Sequence, residues 1–234
     1  MPQFAQRSGE AEWLDSPDIS PAELQLVLKD LAWFNGTMLG HLPVVRWLAR
    51  ATKRAGGVPY TILDVGCGYG DLLRAIRRWA ARKQIPIKLI GVDLSEKTTR
   101  IARDASDPKD QIEYRAADIF AFKPPERIDF IVSSLLTHHF SDAQIVSFLR
   151  WMETTAQRGW LIYDLQRHII PYTFIGLASR LMRLHPMVTH DGQISVKRSL
   201  TPAEWHARIA EAGMPRDAVR VRWFLYRLII ERLR

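Results

Sequence analysis

The stretch Thr61–Leu73, TILDVGCGYGDLL, places three glycines between an apolar run and the beginning of an amphipathic helix. The apolar run is typical of a short buried strand, so the glycines lie at a strand-to-helix turn. Glycine there lets the backbone adopt a positive φ and lets a ligand approach main-chain atoms directly. Two interpretations follow from the turn alone: a ligand-binding loop, or a tight turn that binds nothing.

Strands and helices alternate along the chain from the strand before this loop onward. Apolar segments with strand character occur in the order YTILDV, PIKLIGVD, QIEYRAAD, RIDFIVSS and GWLIYDL. Near-continuous apolar strands joined by helices indicate a parallel sheet with helices on both faces. Before the first strand, PAELQLVLKDLAWF and LPVVRWLARATKRAG predict two helices, the second ending at Gly56-Gly57.

The end of the chain departs from this alternation. The segments AVRVRWFL and YRLIIERLR follow each other with almost no residues between them. A connection this short cannot contain a crossover helix, so we predict that the two strands pair antiparallel. Capping-box spacing at Ser141 and Gln144, and again at Thr201 and Glu204, predicts the beginnings of two helices. The whole chain is therefore predicted to be one α/β domain.

Composition sets the class of protein. The chain has 234 residues, 47% of them hydrophobic, and one cysteine. This length suits one core, and one cysteine excludes a disulfide framework or a multi-cysteine metal site. The first residues lack a signal-peptide pattern, and no run of about 18 apolar residues is present for a membrane span. We therefore expect a soluble, cytoplasmic protein.

The formal net charge of +8 raises the question of an anionic partner. Most arginines are spread along the chain rather than clustered. The densest group recurs at helical spacing, opposite apolar residues, as the solvated face of an amphipathic helix does: Arg74, Arg77, Arg78 and Arg82. We therefore predict no specific nucleic-acid partner.

Acidic residues follow the predicted strands where a ligand of an open α/β sheet binds. Asp64 stands two residues before the first glycine, and Asp93 ends the second strand, where a carboxylate accepts hydrogen bonds from ribose hydroxyls. Asp118 follows the third strand and has an alternative role as a helix N-cap. The glycines alternate as G-x-G-x-G, unlike the dinucleotide fingerprint G-x-G-x-x-G. Together these features predict an adenosine-bearing ligand across the first three strands.

These motifs resemble those of the class I S-adenosylmethionine-dependent methyltransferases, in the same order, over roughly residues 21–234. LDVGCGYG resembles the glycine motif of the family, GVDLS its ribose-binding acid, AADIF its adenine-side acid, and IDFIVSSLLTHHFSD its fourth-strand motif. The terminal hairpin resembles its antiparallel seventh strand. The resemblance implies a Rossmann-like, seven-stranded, mostly parallel sheet with an N-terminal helical cap.

The resemblance also implies S-adenosylmethionine as cofactor and S-adenosylhomocysteine as product. Amides of the glycine loop would approach the methionine part, with Asp64 anchoring the loop or meeting the amino group. Asp93 would take the ribose, and Asp118 with Ile119 would flank the adenine. The cofactor-binding residues implied are Asp64, Gly66, Cys67, Gly68, Gly70, Asp93, Leu94, Asp118, Ile119 and Ser133.

The methyl acceptor is expected beyond strands four and five, and missing motifs narrow its class. Methyltransferases that act on amino groups of DNA bases resemble one another in a D/N-P-P-Y/F motif after strand four, where this chain has SSLL. Cytosine C5 methyltransferases need a nucleophilic cysteine after strand four, whereas Cys67 lies in the glycine loop. Metal-dependent catechol methyltransferases would need acidic ligands at the ends of both strands four and five. Asp164 could be one, but Ser133 and Ser134 at the end of strand four offer no second carboxylate. We therefore predict that no metal is bound.

The candidate catalytic residues are His138, His139 and Asp164. Small-molecule O-methyltransferases show a similar histidine pair after strand four. A neutral imidazole, with an ordinary pKa of about 6.5, suits proton removal from a hydroxyl, and a carboxylate can orient it. His138 is preferred, because in similar enzymes the first histidine faces the acceptor. His139 has the alternative role of closing the strand end or capping a helix.

We divide the chain into a helical cap (1–57), a cofactor-binding core (58–166), an acceptor-side lid (167–200) and a closing helix with hairpin (201–234). The lid has apolar residues at helical spacing and could equally be a surface helix: Ile170, Phe174, Leu177 and Leu181. The predicted function is O-methylation of a phenolic, polyketide or quinone-like small molecule. Methylation of nitrogen or carbon in a secondary metabolite, or non-catalytic binding of an adenosine ligand, are the alternatives. The oligomeric state is not predicted.

Overall fold

The computed structural model describes residues 2–52, 58–215 and 217–234. Its strands form one seven-stranded sheet in the order β3-β2-β1-β4-β5-β7-β6. The strands are β1 Tyr60–Val65, β2 Ile87–Asp93, β3 Ile112–Ala116, β4 Ile128–Ser134, β5 Ala156–Leu165, β6 Arg220–Phe224 and β7 Arg227–Leu233. The pairs among β1 to β5 are parallel, whereas β7 pairs antiparallel with both β5 and β6. This confirms the predicted sheet and its C-terminal hairpin.

Helices cover both faces of the sheet, which explains why β1 is buried along its whole length. Ile62 packs with Trp47 and other residues on one face, while Leu63 packs with Phe148 and Trp205 on the other. The helices that connect or cover the strands are α1 Pro21–Thr37, α2 Leu42–Ala51, α3 Asp71–Lys83, α4 Glu96–Asp104, α5 Asp142–Thr155, α6 Ile169–Leu181, α7 Pro186–Arg198 and α8 Pro202–Glu211. Both predicted capping boxes are present, at the beginnings of α5 and α8.

The two predicted N-terminal helices are α1 and α2. The predicted end of the second helix at Gly56-Gly57 lies outside the described residues; α2 ends at Ala51, with Thr52 as its C-cap. Among the described residues, no helix has both the length and the apolar character needed to cross a membrane.

The predicted lid consists of α6 and α7. Helical spacing correctly predicts α6, but its apolar stripe faces outward: Ile170, Leu177 and Leu181 are 65%, 67% and 81% exposed. The other side of α6 is buried at Pro171, Ile175, Gly176 and Ser179, and in α7 Met187 and Val188 pack against α1. Periodicity alone therefore identified the helix without identifying its covered face.

Candidate active site

The three loop glycines all adopt positive φ: +71° at Gly66, +50° at Gly68 and +73° at Gly70. They differ in what a side chain would meet. A Cβ at Gly68 would meet nothing within 4 Å, but one at Gly66 would lie 2.9 Å from Leu136 Cδ1, and one at Gly70 only 2.2 Å from Tyr114 Oη. Gly68 therefore leaves open space for a ligand, whereas packing and backbone conformation require Gly66 and Gly70.

A cavity of about 1080 Å³ opens beside this loop at the carboxyl edge of the sheet. Ligand pockets commonly measure about 300–1,000 Å³, so the cavity has room for a cofactor and a second small molecule. The predicted cofactor residues that line it are Asp64, Gly66, Cys67, Gly68, Asp93, Leu94, Asp118 and Ile119. Gly70 and Ser133 are not among the lining residues. The Ser133 hydroxyl is buried and donates to the Val65 carbonyl at 3.0 Å, so it joins β4 to β1 instead.

The Asp93 carboxylate is fixed at the cavity wall by two backbone donors. Its Oδ2 accepts from Gly68 N at 3.1 Å, and its Oδ1 accepts from Ser95 N at 3.0 Å. A carboxylate has about four lone-pair sites, so acceptor capacity remains for ribose hydroxyls. Asp118 is exposed and accepts from Phe120 N at 3.0 Å. It therefore caps a turn rather than a helix, while still lining the cavity.

Asp64 is a buried carboxylate that faces the cavity with an unsatisfied oxygen. It is 1% exposed, and its Oδ1 has no hydrogen-bond partner in the described chain. Burial, reinforced by the charges of Asp71 and Asp93, raises the pKa of Asp64 well above its ordinary value. A cationic ligand group would offset this cost, since a buried unpaired charge is unfavourable. The ammonium group of the methionine part of S-adenosylmethionine would supply this positive charge. The open space at Gly68 leaves room for the same part of the ligand.

His138 is buried away from the cavity, which corrects the preference for it as the histidine that faces the acceptor. Its side chain is almost fully covered, it is not among the cavity-lining residues, and its Nδ1 lies 2.8 Å from Asp164 Oδ1. Asp164 Oδ2 also accepts from Thr137 Oγ1 at 2.5 Å and from His138 N at 3.2 Å. The His138–Asp164 pair therefore stabilises the turn after β4 from the side that faces away from the cavity.

His139 lines the cavity, and two acids from the N-terminal segment lie beside its ring. Nδ1 is 3.4 Å from Asp15 Oδ2, and Nε2 is 3.7 Å from Glu12 Oε2. The hydrogen bond from His139 lowers the pKa of Asp15, with part of the effect opposed by burial. Ser195 donates to Glu12 at 2.8 Å, and Arg198 lies 3.7 Å from the same carboxylate. Sequence reasoning missed Glu12 and Asp15, because no motif marks them.

Glu12, His138 and His139 form a group with metal-binding distances. One ligand atom of each lies within 4.8 Å of the others. The prediction of no metal considered Asp164 with Ser133 and Ser134 and did not anticipate this group, because Glu12 comes from the N-terminal segment. Arg198 already places a positive charge beside Glu12. That no metal is bound stays a prediction.

The other half of the cavity is formed mainly by the N-terminal segment and α1. Its apolar walls comprise Leu14, Ile19, Leu24, Leu28, Leu31 and Ala32. Asn35 of α1 and Arg227 of β7 add polar groups to this half. It suits a largely apolar molecule that carries a few polar groups.

Residues 62–159 match the family described as "Methyltransferase domain". A ubiquinone biosynthesis O-methyltransferase of Aeromonas salmonicida is 27% identical over 169 residues, 69% of this chain and 66% of the relative. An enzyme of the same name from Thiobacillus denitrificans is 28% identical over 176 residues, 73% of this chain and 69% of the relative. The chain spans about two thirds of the length of the curated relatives it matches, 64% to 69% among three of them.

Solved structures share the fold at lower identity. Human N-acetylserotonin methyltransferase in complex with S-adenosylmethionine superposes with a TM-score of 0.62 at 16% identity, covering 92% of this chain and 56% of that chain. The plantazolicin methyltransferase in complex with S-adenosylhomocysteine gives a TM-score of 0.62 at 16% identity, covering 92% and 98%. Residues 62–159 thus match a methyltransferase domain, and the seven-stranded sheet that contains them has the fold of these solved methyltransferases.

Proposed function

We propose that this enzyme methylates a hydroxyl oxygen of a small, planar, phenolic or quinone-like molecule. The observation that carries the proposal is His139, which faces the cavity with Asp15 and Glu12 beside its ring. An oxygen acceptor must lose its proton, and a positioned imidazole is suited to take it. The apolar part of the cavity wall, formed by the N-terminal segment and α1 and called the acceptor half from here on, suits a flat ring system. The names of the two curated relatives support an oxygen acceptor on a quinone precursor.

When bound, S-adenosylmethionine supplies a methyl group on a cationic sulfonium. Asp93 would hold the ribose and Asp64 the ammonium group, and the apolar half of the cavity would exclude water from the reacting groups. His139 would accept the hydroxyl proton, and the carboxylates of Asp15 and Glu12 would stabilise the resulting imidazolium. The buried pair of His138 and Asp164 would position the turn that carries His139, without touching the acceptor.

Substitution of His139 by alanine tests this assignment. Catechol serves as the acceptor probe, and we expect kcat for methyl transfer to fall by about 10²- to 10⁴-fold, the usual contribution of a positioned base. The affinity for S-adenosylhomocysteine should stay nearly unchanged. His206→Ala, on α8 and outside the cavity, is the matched control. Near-full turnover of His139→Ala with an oxygen acceptor would exclude His139 as the base.

The alternatives predict other outcomes. A nitrogen acceptor that is already unprotonated needs no base, so its methylation would survive His139→Ala. A non-catalytic protein would bind S-adenosylhomocysteine without transferring a methyl group to any acceptor. A cytoplasmic location and the lack of a specific nucleic-acid partner remain predictions from composition.

A further inference from the structure

Arg227, the first residue of β7, is a buried cation at the wall of the cavity. Arg227 is 2% exposed and lines the cavity. Nη2 donates to Asn35 Oδ1 at 2.7 Å. Nε and Nη1 have no hydrogen-bond partner among the residues that the structure describes. Asn35 therefore orients the guanidinium, while most of its hydrogen-bonding capacity stays unused.

No carboxylate in the described part of the chain forms an ion pair with Arg227. Its guanidinium instead lies 5.0 Å from the ring centroids of both Tyr163 and Tyr226, and the buried Tyr226 hydroxyl also has no described partner. Two other arginines make useful comparisons: the buried Arg167 pairs with Glu204 at 2.5 Å, and Arg198 of the same cavity lies near Glu12. Burying a charge without a counter-charge is costly. Arg227 therefore lacks the partner that the comparable arginines have.

The position of Arg227 assigns it to the acceptor rather than to the cofactor. Arg227 lies opposite Leu165 in the β5–β7 register, and β7 is three strands from β1, which carries Asp64. At about 4.8 Å between neighbouring strands, this separation is about 14 Å. If Asp64 and Asp93 hold the cofactor, as proposed above, it lies over β1 and β2. The unpaired guanidinium thus faces the space left for the second molecule.

We propose that Arg227, oriented by Asn35, binds a carboxylate carried by the ring of the methyl acceptor. This inference rests on the proposed function, because it assigns a chemical class to the molecule in the acceptor half. A guanidinium forms strong, charge-assisted hydrogen bonds with a carboxylate, and the bound anion supplies the missing counter-charge. The acceptor class is then a hydroxylated aromatic acid rather than a neutral phenol.

Calorimetry with a matched pair of probes tests this proposal. The titrants are 3,4-dihydroxybenzoate and the neutral 3,4-dihydroxybenzamide, added to protein saturated with S-adenosylhomocysteine. We expect the wild type to bind the acid at least about tenfold more tightly than the amide. Arg227→Met should abolish that preference, and Arg227→Lys should keep part of it. Arg82→Gln removes an exposed positive charge on α3 and should keep all of it.

Two results would overturn the proposal: equal affinity of the wild type for the acid and the amide, or a preference that survives Arg227→Met. Loss of S-adenosylhomocysteine binding in Arg227→Met would also overturn it, because Arg227 would then serve the cofactor. Asn35→Ala provides a milder second variant, which should reduce the preference without removing the charge. If the amide is methylated on oxygen while no acid preference appears, the proposed function stands and only the carboxylate inference fails.

Discussion

Substituting Asp164 by asparagine removes the charge from the most buried ion pair near the site. The carboxylate accepts hydrogen bonds from Thr137, from the ring and backbone of His138, and from Leu165 N at 2.7 Å. An amide at this place would direct an NH₂ group at donors and remove the nearer of the two counter-charges of His138, leaving only Glu12 at 3.6 Å from Nε2. Breaking a buried pair in this way costs about 3–5 kcal/mol.

The lowered pKa of Asp164 gives a second value for the contribution of this pair to the stability of the fold, and it shows how that contribution depends on pH. Burial alone would raise the pKa of Asp164, but the charge and hydrogen bond of His138, with Thr137 and Leu165, lower it from 3.8 to about 2. A depressed carboxyl pKa stabilises the fold above 3.8, and this stability is lost as the pH falls towards 2. At about 1.4 kcal/mol per pH unit, the contribution is about 2–3 kcal/mol. This value measures only the effect of protonating Asp164. The cost of about 3–5 kcal/mol for Asp164→Asn is larger because the substitution also removes hydrogen bonds.

The pKa of His138 sets the upper limit of the pH range in which its pair with Asp164 stabilises the fold. Burial would lower the pKa of its imidazole, but the charge and hydrogen bond of Asp164, assisted by Glu12, raise it above 6.5. A raised histidine pKa gives stability that is complete below 6.5 and lost as the pH rises through the raised value. The pair should therefore stabilise the fold most between about pH 4 and 6.5.

Urea unfolding, followed by tryptophan fluorescence from pH 2 to 8, measures the effect. At pH 6, Asp164→Asn should be less stable than the wild type by about 3 kcal/mol, and the difference should shrink as the pH falls below 4. Asp142→Asn changes an exposed carboxylate on α5 and should cost at most about 1 kcal/mol. A loss below about 1 kcal/mol at pH 6, or a difference independent of pH, would refute the reasoning.

Two further predictions concern the cofactor and the metal. Asp93→Ala should weaken S-adenosylhomocysteine binding by about tenfold or more in calorimetry, because a fixed acceptor for the ribose hydroxyls is lost; unchanged affinity would contradict the role of Asp93. Methyl transfer should persist after exhaustive treatment with EDTA, because Arg198 already supplies positive charge beside Glu12. Activity that EDTA abolishes and a divalent cation restores would instead show that Glu12, His138 and His139 hold a metal.

Local patterns explain why much of the fold and the cofactor half could be predicted. The alternation of apolar strands with helices, and the near-absence of a connection between β6 and β7, leave few possible topologies. Asp64 and Asp93 lie at the carboxyl ends of β1 and β2, the edge where α/β sheets bind ligands, so strand assignment alone placed them. The roles of Gly66 and Gly70 needed the structure, because contact with Leu136 and Tyr114 is not visible in the local sequence.

The acceptor half depends on contacts between distant parts of the chain. Glu12 and Asp15 reach His139 only because the N-terminal segment packs against α7 and the turn after β4. His138 and His139 are adjacent and chemically identical, yet one is buried beside Asp164 and the other faces the cavity. Arg227 begins an ordinary strand in the sequence. Its importance lies in the missing counter-charge, which only the three-dimensional surroundings reveal.

Transfer of a ¹³C-labelled methyl group tests the central claim most directly. The purified enzyme is incubated with S-[methyl-¹³C]adenosylmethionine and 3,4-dihydroxybenzoate or 3,4-dihydroxybenzamide, and the products are identified by NMR and mass spectrometry. We predict one labelled methyl group on a ring oxygen, formed at a rate that falls about 10²- to 10⁴-fold in His139→Ala. A label on carbon or nitrogen, or transfer to oxygen that is equally fast without His139, would contradict the account.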